Sequence, residues 1–181
     1  MADAPSFAAD LSAKFKGAVQ GSRRDEPFEI IDIERSRIAE VAGYLKSERG
    51  FTMLMDLTVV DYLKAKQLKK PERFELVYYL FNLPAKLRVR LLVAVPDGDA
   101  SAPTLSGVFG DANWLEREAW DMYGIRFKGH PDPRRLLMYE EFSGHPLRKD
   151  YPLLKQQPRV TQVFPGVPPF GETPEILKVD D

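Results

Sequence analysis

Two stretches that alternate polar and apolar residues constrain this chain more than any other feature. They are Arg73-Phe74-Glu75-Leu76-Val77-Tyr78 and Lys86-Leu87-Arg88-Val89-Arg90-Leu91. Successive side chains of a strand point to opposite faces, so this period suits antiparallel strands with one face buried and the other wet. The longer runs that contain them, 73–83 and 86–95, are separated by Pro84 and Ala85 alone, which predicts a hairpin. A third run of the same type covers 52–62. Phe28-Glu29-Ile30-Ile31-Asp32-Ile33 reads as a first strand, β-branched but imperfectly alternating.

Helical spacing appears in three places. Residues 6–19 place Phe7, Leu11 and Phe15 on one stripe behind Ser6, a good cap. The polar residues 21–27 then break the pattern. Residues 36–48 put Ile38, Val41, Ala42 and Leu45 on one side, and Gly50 is placed to end that helix in a left-handed conformation. After a short strand predicted at 104–109, Asn113 and Glu116 stand three apart as in a capping box, and a helix over 114–123 should stop at Gly124. The order is that of an α+β fold: two layers, a mostly antiparallel or mixed sheet with helices on one face, followed by an extended proline-rich C-terminal arm. The arm is expected because six of the 15 prolines fall in 152–174, and proline removes a backbone donor and fixes φ. The chain thus divides into an N-terminal helix and linker (1–27), an α+β core (28–125), irregular docking loops (126–153) and the arm (154–181). Lys64, Lys66, Lys69 and Lys70 read as a solvated loop before Arg73.

Composition excludes several functions. With 26 basic and 27 acidic residues in 181, the formal charge is -1, unlike a nucleic-acid binder, which needs a basic surface. There is no cysteine, so thiolate-held iron–sulfur clusters, disulfides and cysteine nucleophiles are out of reach, and two histidines, His130 and His145, make poor material for a zinc site. Apolar runs such as Leu91-Leu92-Val93-Ala94-Val95 are far shorter than the roughly 20 residues that span a bilayer. The N-terminus, with Asp3 and Asp10, lacks the continuous apolar stretch of a signal peptide. No G-x-G-x-x-G, Walker or G-x-S-x-G motif is present.

Between Glu116 and Tyr151, seven basic residues face seven acidic ones. General acid–base catalysis needs two carboxylates pushed apart in pKa at a common cleft. Here Glu116, Glu118 and Asp121 sit among Arg117, Arg134, Arg135, Arg148 and Lys149, which reads as a salt-bridge network or docking surface. A hydrolase built on Glu118, Asp121 and His130 is the enzyme alternative. Gly129-His130-Pro131 and Gly144-His145-Pro146 look alike: glycine permits a sharp turn, proline stiffens its exit, and each imidazole is expected to bridge backbone groups of an irregular loop.

Trp114-Leu115-Glu116-Arg117-Glu118-Ala119-Trp120-Asp121-Met122-Tyr123-Gly124-Ile125, then Gly129-His130-Pro131-Asp132 with Arg134-Arg135-Leu136-Leu137, resembles the signature of one family of NADH:quinone oxidoreductase components. These are the bacterial C subunits, counterparts of the 30-kilodalton subunit of respiratory complex I. Gly144-His145-Pro146-Leu147-Arg148-Lys149-Asp150-Tyr151-Pro152-Leu153 is similar to the family's terminal motif, and Pro133 stands where the family usually has leucine. Asp56 to Tyr62 and Arg73 to Tyr78 look like its strand region, so the resemblance covers about residues 28–153.

It implies a structural subunit of the peripheral arm of a proton-pumping complex, carrying no cofactor or active site itself. NADH, FMN, iron–sulfur clusters and quinone would belong to the assembled complex. The D and B subunits would be the chief partners, on the cytoplasmic side of the bacterial inner membrane. The residues implied in partner binding are Trp114, Glu116, Arg117, Glu118, Trp120, Asp121, Met122, Tyr123, Gly124, His130, Arg134, Arg135, His145, Arg148, Lys149, Asp150 and Tyr151. Phe164 and Phe170 would anchor the arm. The same domain type serves membrane-bound hydrogenases and ferredoxin- or deazaflavin-dependent dehydrogenases, which form the second reading.

Overall fold

The computed structural model describes residues 6–65, 67–68 and 70–158. A five-stranded mixed sheet in the order β1-β2-β5-β4-β3 forms its centre, built from β1 (Val19–Asp25), β2 (Phe28–Ile33), β3 (Met53–Asp61), β4 (Phe74–Asn82) and β5 (Leu87–Val95). Neighbours are antiparallel except β2 and β5, which run parallel. The predicted hairpin is β4–β5, in register from Phe74↔Val95 to Asn82↔Leu87. Its connection is longer than Pro84-Ala85, because Lys86 takes a positive φ of 54° and Asn82 caps the turn by accepting from the Ala85 N–H.

Alternation decides the layers. Leu76, Tyr78 and Leu80 of β4 and Val89, Leu91 and Val93 of β5 join the main core, where α1 (Phe7–Lys14), α2 (Ile38–Arg49) and α3 (Ala112–Tyr123) bury their apolar stripes. Val77 and Leu92 point to the opposite face and pack with Ile30 in a small cluster of their own. Helices therefore cover one face, as the sequence predicts.

Four expectations are corrected. The first helix ends at Lys14, with Phe15 as its C-cap and Gly17 at φ +78°, so residues 15–18 form a turn. The polar break at 21–27 is largely strand β1, which carries no apolar alternation because it is an exposed edge held by backbone pairing to β2. Residues 104–109 are a turn, with Val108 and Phe109 N–H both donating to the Leu105 carbonyl; the short strand lies earlier, β6 (Ser101–Pro103), parallel to β7 (Arg126–Lys128). The capping box is also absent: α3 starts earlier, behind Asp111, and Glu116 bonds elsewhere.

An acid from β2 fixes α1. The Glu29 carboxylate accepts the N–H groups of Phe7 (2.8 Å) and Ala8 (3.1 Å) and the Ser6 hydroxyl (2.9 Å), satisfying donors that the first helical turn leaves free. At the other end of the layer, α2 stops at Gly50 with φ 72°, as expected. Among the described residues no helix is long and apolar enough to cross a membrane. Phe164 and Phe170 lie outside the described residues.

Candidate functional site

The signature helix α3 lies across the sheet beside β3, with Ala112, Ala119 and Met122 buried. Its two inward carboxylates organise the loops on either side. Glu116, 0% exposed, accepts from the Leu105 N–H (2.6 Å) and the Thr104 hydroxyl (2.5 Å), closing the turn that precedes the helix. Burial raises its pKa against the lowering effect of those two bonds.

Asp121, also 0% exposed, gathers the loop after β7. Oδ2 accepts three successive backbone N–H groups, Leu136 (3.1 Å), Leu137 (2.8 Å) and Met138 (2.8 Å), while Oδ1 accepts from Arg135 (2.5 Å). Burial alone would raise the Asp121 pKa, but these donors outweigh it and the carboxyl titrates below its ordinary value. Arg135 also donates to the carbonyls of Phe142 (2.9 Å) and Gly144 (3.3 Å), so one ion pair closes the 135–144 loop.

Both histidine turns hold backbone, as their sequence suggests. His130 Nε2 lies 3.1 Å from the Asn113 carbonyl and Nδ1 accepts the Asp132 N–H at 3.0 Å, a network that assigns the proton to Nε2. His145 Nδ1 lies 3.0 Å from the Asp121 carbonyl and therefore donates to it, while the Leu147 N–H reaches the Met122 carbonyl at 3.1 Å. The imidazole packs so close to Gly124, which ends α3 at φ +78°, that a Cβ there would sit 2.7 Å from His145 Cδ2. Glycine answers two demands at this position: a left-handed backbone and room for a ring.

The terminal motif is pinned to the far end of the sheet by residues that sequence reasoning missed. Arg73 pairs with Asp61 (3.0 Å), Asp97 (2.9 Å) and Asp150 (2.8 Å); Arg148 pairs with Asp97 (2.8 Å) and Asp150 (3.3 Å). Asp61 also accepts the Lys149 N–H at 2.9 Å. Asp61, Arg73 and Asp97 lie far upstream of the signature, so nothing local marked them. Polar residues closing two strands were the available signal.

Arg117 donates to the carbonyls of Arg134 (3.0 Å) and Arg135 (2.8 Å) and stacks over Trp114 at 5.1 Å. Arg134 chelates Asp132 at 2.7 and 2.8 Å, holding that carboxyl at about 2. Tyr151 stacks on Phe142 with rings 15° apart, and Trp120 meets His145 edge-on. Tyr123 is half-buried, Glu118 points to solvent, and Trp114 is exposed. The structure thus brings the signature residues together, with most of their polar groups spent on one another. Facing outward are charged residues such as Glu118, Arg134, Glu140, Glu141 and Lys149, together with apolar ones: Trp114, Leu137, Leu147, and above all Leu153 and Leu154 at 97% and 92% exposure. Among the described residues no cluster of three His, Asp or Glu is placed to hold a metal ion.

This fold and signature define a class. The chain belongs to the family of the respiratory-chain NADH dehydrogenase 30 kDa subunit, whose model matches residues 31–157. Among its relatives is the NADH-quinone oxidoreductase C subunit of Trichlorobacter lovleyi, 42% identical over 153 residues, spanning 84% of this chain and 92% of the relative. The protein of the same name from Geobacter sulfurreducens is 41% identical over 143 residues, spanning 79% and 86%. Of solved structures, a trypsin-resistant fragment of Nqo5 is 36% identical with a TM-score of 0.58, covering 62% of this chain and 88% of that one. A chain of the archaeal membrane-bound sulfane sulfur reductase shares the fold at 22% identity, with a TM-score of 0.64 over 82% of this chain and 85% of its own.

Proposed function

We propose that this chain is a scaffold component of the peripheral arm of a proton-pumping NADH:quinone oxidoreductase. It carries no cofactor and no active site. NADH, FMN, the iron–sulfur clusters and quinone are handled by other subunits, and the chain holds neighbours, chiefly the D and B subunits, in register on the cytoplasmic side of a bacterial inner membrane. The carrying observation is the contrast within 114–154: Glu116, Arg117, Asp121 and Arg135 are consumed by internal bonds, while Leu153 and Leu154 are left almost fully exposed. An apolar patch on a stiff, internally satisfied loop set is what a docking surface presents. Trp114, Leu137 and Leu147 are exposed apolar residues of the same segment, and the exposed Arg134 and Lys149 add charge to it.

The double substitution Leu153→Asp, Leu154→Asp tests this. It should leave the melting transition of the isolated chain unchanged and prevent its recovery in the assembled complex. Unimpaired assembly, or NADH turnover by the purified chain, overturns the reading.

A further inference from the structure

The sheet face turned away from the helices holds two arginines with no hydrogen-bond or ion-pair partner among the described residues. Arg88 and Arg90 are successive residues of β5 on that face, beside Phe28 and Ile30 of β2 and opposite Phe81 and Tyr79 of β4. The Arg90 guanidinium sits in the corner formed by two rings, 4.5 Å from the Phe28 centroid and 4.7 Å from that of Tyr79, and those rings meet edge-on at 5.6 Å. Arg88 lies over Phe81 at 5.2 Å. Among the described residues neither guanidinium has a hydrogen-bond or ion-pair acceptor, and Arg90 Nε is buried without one. Arg73, Arg135 and Arg148, by contrast, each sit against a carboxylate.

An unpaired buried donor forgoes water without recovering a hydrogen bond, so it calls for an acceptor from outside the chain. The flanking rings fix the guanidinium in advance, which lowers the entropic cost of binding a carboxylate on its planar fork. Beside it runs a groove of about 250 Å³ lined by Phe28, Met55, Asp56, Thr58, Tyr79 and Arg88. Met55 forms its outer edge, 53% exposed on edge strand β3, with Met53 nearby.

We infer that this face is a second docking surface, for an acidic segment of a neighbouring protein that places a carboxylate on Arg90 and Arg88 and an apolar side chain in the groove. The charge decides the occupant: two guanidinium groups without acceptors, on an aromatic floor, match an acidic apolar segment. This inference rests on the assembly role proposed above, but uses different residues, on the side of the sheet the helices leave open.

The test compares the full-length chain alone with the complex recovered through it. Under peroxide, Met55 should oxidise readily in the free chain and at least fivefold more slowly in the complex. Arg88→Lys introduces an amine, and a zero-length carbodiimide should then join position 88 to an aspartate or glutamate of a different polypeptide in the complex. Equal oxidation of Met55 in both states overturns the proposal while leaving the scaffold role standing. So does a crosslink confined to Asp56, or to a second copy of this chain. Failure to recover any complex removes both.

Discussion

The Lys149 backbone N–H donates to the Asp61 carboxylate at 2.9 Å, joining residues 88 positions apart. This bond, with the Arg73 pair beside it, fastens the terminal motif to the end of β3. The Asp61 side chain has no solvent exposure and that of Arg73 little, so removing the carboxylate takes a buried partner from a buried cation. Such losses cost about 3–5 kcal/mol, and the lower end applies because Arg73 keeps Asp97 and Asp150. Asp61→Ala should therefore lower the urea midpoint at neutral pH and raise amide exchange at 149–151. Asp61→Asn, which retains an acceptor but not the charge, should fall between. Unchanged exchange there would mean the motif is held by something else.

Asp121 makes the equivalent bond set for the other loop. In Asp121→Asn the side chain loses its charge and one acceptor oxygen, although three backbone N–H groups and Arg135 converge on it. Faster amide exchange at Leu136, Leu137 and Met138 should accompany a global loss of about 3 kcal/mol. Because Trp114 and Leu153 are not bonded to Asp121, a drop in complex assembly greater than the fold loss explains would show that loop order, and not patch composition alone, governs docking.

Legibility followed the reach of each interaction. The β4–β5 hairpin and the helix-covered face were readable because alternation is local and is enforced by burial of Leu76, Tyr78, Val89 and Leu91. Strand β1 was not, since Gln20, Ser22, Arg23 and Arg24 form it by pairing with a neighbour and bury little. Glu116 looked like part of a capping box because its spacing from Asn113 fits one; its carboxylate instead serves Thr104 and Leu105, a partner choice set by tertiary contact. The two histidine turns were legible from Gly and Pro flanking each ring. The Asp61–Arg73–Asp97–Asp150 cluster was hidden, because its members come from four separate parts of the chain.

Acid stability should divide along the direction of two sets of shifts. The Arg73 bond holds Asp150 down to about 2, and Asp61 and Asp121 are lowered as well, so their stabilisation is complete above the ordinary aspartate value near 3.8 and is lost as pH falls through each lowered value. Glu116 works in reverse: burial raises its folded pKa, so the native state binds the proton more readily and this group destabilises the fold as pH rises above 4.5. Glu116→Gln keeps an acceptor for the Leu105 N–H and discards the buried charge. Its melting temperature should exceed the parent's at pH 7, with the gap shrinking toward pH 4.5. A variant less stable at pH 7, with a gap indifferent to pH, would refute this account.

Gly124 and His145 should behave as a coupled pair. Gly124→Ala imposes a left-handed backbone on a residue with a Cβ, which costs about 1–2 kcal/mol, and drives that Cβ to 2.7 Å from an imidazole carbon. The ring is held by its Nδ1 bond to the Asp121 carbonyl and by edge contact with Trp120, so it gives way only by opening the turn that carries Arg148 and Lys149. His145→Ala removes the obstacle together with that bond. In Gly124→Ala, His145→Ala the clash is gone and only the backbone cost and the lost imidazole contacts remain, so the double variant should lose less stability than the two single losses added. A double-mutant cycle by urea unfolding gives the coupling directly. Additive losses would show that Gly124 is required for its φ alone, and that the imidazole moves aside freely.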